Sequence, residues 1–194
     1  MTENRLLTSV PPDEVSYYSD YRDGVLESPS LLRRESLQQA GWIAVPRKQQ
    51  GFVSMMEMER LAKALADIQV DELRLIYPTD PSVGCSCMAF PSTLDGLMEA
   101  ATTGAFEAAT MGALDYFITN SGKPVFLYHY TADDFSLLAG QVDFVEAALG
   151  ASVKAARYDW HEYGSHPGWS DDEKAVYGEI ERWYSAGGDK GDAA

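Results

Sequence analysis

The side chains of this chain best suited to covalent or metal chemistry are Cys85 and Cys87, the three histidines His129, His161 and His166, and the acid pairs Asp133-Asp134 and Asp171-Asp172. Two thiolates and two imidazoles make a four-ligand set of the kind zinc takes, so Cys85-Ser86-Cys87 with His161 and His166 is the first arrangement to weigh. Cysteines one residue apart chelate poorly, and the two histidines sit around Gly164 and Pro167 rather than on a helix face. His161-Glu162-x-x-x-His166 also misses the metalloprotease pattern, which needs histidines four apart on one helical face. A thiol nucleophile at Cys85 or Cys87 would need a base such as His129, oriented by Asp133 or Asp134. The plainer role for His129, within the run Leu127-Tyr128-His129-Tyr130, is a strand residue bonded to a neighbour. The acid pairs read as a turn and as favourable charges at a helix N-terminus. The chain contains no G-x-G-x-x-G, no G-x-x-x-x-G-K-[ST] and no G-x-S-x-G. These residues predict a non-catalytic protein without cofactor or metal. A small cysteine-dependent enzyme is the alternative, and a structural or regulatory subunit of a larger assembly is a third.

Charge narrows the partners. The 194 residues carry 15 Lys+Arg against 30 Asp+Glu, a formal net charge of −15. Nucleic acid is held chiefly by neutralising phosphates with basic side chains, so this balance argues against it, and against anionic membranes. No stretch approaches the roughly 20 apolar residues of a spanning helix. The first fifteen residues, which include Glu3, Arg5, Pro11 and Asp13, lack a signal-peptide core. Two closely spaced cysteines are too few for a disulfide framework. A cytosolic protein is expected, and a 45% hydrophobic share is enough to fill a core.

The elements that must position these residues are legible in part. Residues 1–29 read as a partly ordered arm, 30–184 as one domain, and 185–194 as a disordered tail. Ser54-x-x-Glu57 is a capping box opening a helix whose apolar stripe runs Met55, Met58, Leu61, Ala62, Leu65 and Ile68. Ser170-x-x-Glu173 opens another, with Val176, Ile180 and Trp183 on one stripe. A short helix is predicted from Ser30 to Ala40, stopped by Gly41, and one from Val142 to Leu149, stopped by Gly150. Ser92 and Asp95 signal the cap of an alanine-rich helix. Strands are predicted at Trp42–Val45, Glu72–Tyr77, Cys85–Phe90, Leu114–Thr119, Val125–Tyr130 and Phe135–Leu138, with Val153–Tyr158 as an edge strand. Asn120-Ser121-Gly122-Lys123 joins the clearest hairpin, with Gly where a positive φ is needed. The pattern predicts an α+β fold: a central, mainly antiparallel sheet with a hairpin or meander at 114–138 and helices packed on one side.

Two segments mix acids with large aromatic rings. The first runs from Asp13 to Asp23 and includes Tyr17, Tyr18, Asp20, Tyr21 and Asp23. The second runs from Tyr158 to Glu173 and includes Asp159, Trp160, Glu162, Tyr163, Trp169, Asp171 and Asp172. Tyr and Trp are enriched at the energetic centres of protein interfaces, and carboxylates around them steer a basic partner inward. These twelve residues are the expected partner-binding set. The competing reading has the rings plugging the base of the sheet while the acids only keep the chain soluble.

Residues 114 to 149, with Leu114-Asp115-Tyr116-Phe117-Ile118-Thr119, the tight turn, Val125-Phe126-Leu127-Tyr128-His129-Tyr130 and Asp134-Phe135-Ser136-Leu137-Leu138-Ala139-Gly140, resemble immunity proteins of bacterial polymorphic-toxin systems. The resemblance implies a non-catalytic inhibitor that occludes a secreted toxin's active site. Many such toxins are basic nucleases, which suits the surplus of carboxylates.

Overall fold

The computed structural model describes residues 6–28, 31–48, 54–78, 85–104, 115–131 and 135–185. Its centre is a seven-stranded sheet. In chain order the strands are β1 (Thr8–Ser9), β4 (Ile43–Lys48), β5 (Glu72–Pro78), β6 (Cys85–Pro91), β7 (Tyr116–Asn120), β8 (Phe126–Tyr130) and β9 (Phe135–Gly140). Their spatial order is β1-β6-β5-β7-β8-β9-β4, and every neighbouring pair is antiparallel. A separate two-stranded ribbon joins β2 (Leu26–Ser28) to β3 (Leu31–Leu32). The β7–β8 turn forms as its sequence predicts. Gly122 takes φ +74°, and the Asn120 amide donates to the Ser121 and Lys123 carbonyls while its oxygen accepts from Val125 N–H.

The α+β class and the antiparallel sheet agree with the sequence reading, but helices cover both faces of the sheet rather than one. Alternation along the strands divides the core. Leu73, Leu75, Tyr116, Ile118, Phe126, Tyr128 and Leu138 face one layer, made of α3 (Met55–Asp67), α4 (Leu94–Glu99, continuing as a wide turn Ala100–Gly104) and α5 (Val142–Leu149). Ile76, Phe117, Leu127, Phe135, Leu137 and Ala139 face the other, made of α1 (Pro12–Val25), α2 (Arg34–Ala40), α6 (Val153–Gly164) and α7 (Asp171–Ser185). The central strands are buried residue after residue, as a sheet sandwiched between helical layers requires.

Three local predictions change. Val153–Tyr158 is not an edge strand. It opens α6, where the Ser152 hydroxyl accepts from Ala155 N–H and Val153, Ala156 and Trp160 recur at helical spacing on the inner side. His161 therefore lies on a helix after all. In α7 the inward stripe is Tyr177, Ile180 and Tyr184, and Val176 is exposed. In α3, Met58 and Leu65 are buried whereas Met55 and Ile68 face solvent. The predicted tail lies outside the described residues apart from Ser185, as do Asp133 and Asp134.

The N-terminal segment is built into the domain. Pro12 at the first helical position, with Asp13 and Glu14 in the first turn, is a strong helix start, and fourteen residues of helix follow. Glu14 clamps the buried Arg74 guanidinium of β5 through two bonds of 3.0 Å, and Glu72 takes its third edge. Tyr18 is fully buried beneath α1 and donates to the Asn120 carbonyl at 3.2 Å.

Both capping boxes form. Ser54 N–H donates to Glu57 Oε2 at 2.9 Å while Glu57 N–H donates to Ser54 Oγ at 3.3 Å, and Ser170 and Glu173 repeat the arrangement. Ser54→Ala removes the hydroxyl that accepts from Glu57 N–H and bonds the Glu57 carboxylate, so urea unfolding should show a loss of about 1 kcal/mol. An unchanged midpoint would show that α3 is held by its packing alone.

Candidate partner-binding site

The acids of the predicted set lie where desolvation cost puts carboxylates. Asp20, Asp23, Asp159, Glu162, Asp171 and Asp172 are all exposed. The rings divide. Tyr18 and Trp160 are interior and present no surface to a partner; Trp160 is 2% exposed, with Phe135, Tyr163 and Tyr177 around it. Its Nε1–H donates to the Tyr177 carbonyl at 3.4 Å. Tyr163 and Trp169 are half-buried against each other at 5.3 Å, and the Trp169 indole donates to the Tyr163 carbonyl at 2.7 Å. For these four rings the packing role holds in whole or in part. Tyr21 is half-buried and Tyr17 is 47% exposed. Tyr158, which opens the second segment, is the more exposed ring at 62%.

Both segments belong to the helical layer that carries α1 and α7. Glu14 and Tyr18 tie α1 to β5 and to the end of β7, whereas α6 and α7 lie against the edge strand β4. The acidic surface thus has two centres along one face. Around α1 it adjoins an open groove of about 350 Å³ between α1, α2 and the β7–β8 turn. Tyr21, Val25, Leu37, Trp42 and Pro124 supply an apolar lining, with Tyr17 and Lys123 also on it. On the helix surface Asp13 and Asp20 stand four residues before and three after Tyr17, which makes them its neighbours.

Of the groups weighed for catalysis, Cys87 and His129 are held apart. Strand register aligns Cys87 with Ile76, Ile76 with Phe117 and Phe117 with His129. Three strand spacings of about 4.8 Å separate the thiol from the imidazole by about 14 Å, far beyond hydrogen-bond reach. The Cys85 side chain lies outside the described residues. His161 Nδ1 sits 3.2 Å from the Glu181 carboxylate on α7, and His166 Nδ1 accepts from Gly168 N–H. Among the described residues there is no group of three or more His, Cys, Asp and Glu side chains able to hold a metal ion. Nor is any helix among them long and apolar enough to cross a membrane.

Sequence reasoning missed a largely buried set of titratable and charged groups under α1. His129 is fully buried and stacks on Phe117 at 4.1 Å, and among the described residues neither ring nitrogen has a hydrogen-bond partner. It lies on a strand as its sequence context suggested, but among the described residues its ring is stacked and not hydrogen-bonded to a neighbour. Asp115 Oδ2 lies 4.0 Å from His129 Nε2 and 3.7 Å from Arg22 Nη2. Burial, reinforced by Arg22, pushes His129 down to about 3. Burial also raises the Asp115 carboxyl against the pull of Arg22. No single motif links positions 22, 115 and 129; only the docking of α1 on β7 and β8 brings them together.

No protein-family model, no curated protein and no solved structure matches the chain.

Proposed function

We propose that this protein is a non-catalytic, acidic protein-binding module, an immunity-type inhibitor that occludes the active site of a basic toxin domain. The observation that carries the reading is Tyr17, half-exposed on α1 between Asp13 and Asp20 at the lip of an apolar groove. A ring with few rotamers to lose, set among carboxylates on a molecule of net charge −15, suits recognition of a basic protein surface. The separation of Cys87 from His129 weighs against a cysteine-dependent enzyme. Resemblance of the 114–149 pattern to immunity proteins supplies the kind of partner, a toxin domain made in the same cell.

A neighbouring reading frame is expected to encode a toxin-like domain, and the test is co-expression with that domain. Wild-type protein should restore growth and form a complex that survives gel filtration at low salt. The double variant Asp20→Lys, Asp159→Lys should keep the wild-type melting temperature while associating about tenfold or more slowly, because it places a cation at each centre of the acidic surface and weakens the steering field there. Absence of both protection and complex would overturn the reading.

A further inference from the structure

We infer that the groove between α1, α2 and the β7–β8 turn receives an aromatic side chain carried on a basic segment of the partner protein, flanked by Lys or Arg. The inference rests on the proposed binding function and names the chemistry of its anchor. The groove's volume, about 350 Å³, falls within the roughly 300–1,000 Å³ typical of built binding sites. Its lining is apolar and ring-rich through Tyr21, Val25, Leu37 and Trp42, which favours an apolar or aromatic insert. Its α1 rim is acidic: Asp13 and Asp20 are both exposed beside Tyr17, and Asp20 lies one turn before Gly24. Cationic residues on either side of the insert would meet those carboxylates.

Gly24 adds a second observation. It lies in the last turn of α1, and a Cβ built there meets nothing within 4 Å. Its missing side chain leaves the groove open where a larger residue would fill it. Lys123 is the opposing feature, a cation in the lining whose amine disfavours a basic segment on the turn side. The flanking bases therefore lie along α1, and removing Lys123's charge tightens binding.

Three synthetic peptides test this, with acetylated and amidated ends: Lys-Lys-Trp-Lys-Lys, Lys-Lys-Ala-Lys-Lys and Glu-Glu-Trp-Glu-Glu, titrated by amide chemical shifts. The first should shift Gly24, Ala40 and Lys123 together and bind at least tenfold more tightly than the other two. Gly24→Leu should weaken it at least tenfold with the unfolding midpoint unchanged or raised, and Lys123→Glu should strengthen it. Equal binding of the two lysine peptides, or indifference to both substitutions, overturns the inference. The same variants in the growth assay separate the two levels. If Gly24→Leu still binds and neutralises the toxin domain as wild type does, the groove is not the anchor site and the inhibitor reading stands. If wild type itself gives no protection, the inhibitor reading fails whatever the peptides do.

Discussion

Trp160→Ala is expected to cost about 3–5 kcal/mol in urea unfolding, the range for truncating a large aromatic ring in a packed core. The indole is 2% exposed, touches the rings of Phe135 on β9, Tyr163 on α6 and Tyr177 on α7, and donates a buried hydrogen bond. Removing it opens a cavity bounded by two helices and the sheet, which cannot all close in together. Asp159→Lys, one residue away and exposed, should stay within about 0.5 kcal/mol of wild type. The contrast separates packing from recognition within one stretch of chain. A small effect of Trp160→Ala would return that ring to the partner-binding set and contradict the packing described here.

The second large effect is acid sensitivity through His129. Its folded pKa, about 3, lies below the unfolded value of about 6.5 because burial penalises the cation and Arg22 repels it. Above pH 6.5 both states are neutral and the group is silent. As the pH falls below 6.5 the unfolded chain binds a proton that the folded chain refuses, so stability drops with a slope of about 1.4 kcal/mol per pH unit. By pH 4 the loss is about 3 kcal/mol, and it saturates only below the folded value. Asp115 acts in the opposite sense, since its raised pKa disfavours the folded state at neutral pH and that penalty is relieved in acid. The Asp115→Asn variant should therefore show a steeper acid loss than wild type. His129→Phe keeps a ring against Phe117 and removes the titration, so its stability between pH 6.5 and 4 should fall by about 3 kcal/mol less. Urea midpoints at four pH values decide the matter, and parallel curves for His129→Phe and wild type would refute the assignment.

Both effects arise where sequence reasoning was weakest. Signals that act within one turn were readable: the Ser54 and Ser170 capping boxes, Gly41 and Gly150 as helix stops, and the Asn120–Lys123 turn all formed. Pro12-Asp13-Glu14 was an equally local helix start, obscured by the polar composition of the segment around it. Val153–Tyr158 was read at period two although Val153, Ala156 and Trp160 already carry the helical period. Coverage of both sheet faces also had a trace in the sequence. Runs such as Val125-Phe126-Leu127-Tyr128 and Phe135-Ser136-Leu137-Leu138 lack the polar alternation of a sheet open to water.

What the amino-acid order determined by itself was the sign of the surface and the place of its carboxylates. An unpaired acid is costly to bury wherever the chain goes, and Asp20, Asp23, Asp159, Glu162, Asp171 and Asp172 all face water, whereas Asp115 is the costly exception under α1. An aromatic ring carries no such rule, because it gains from an interior or from an interface alike. Which of these rings would be exposed was decided by partners far along the chain. Tyr18 bonds a carbonyl 102 positions away, Trp160 packs on Phe135, and Tyr17 stays 47% exposed at the groove. Burial of that kind is a property of contacts between distant segments, and only the assembled sheet and its two helical layers bring those segments within reach.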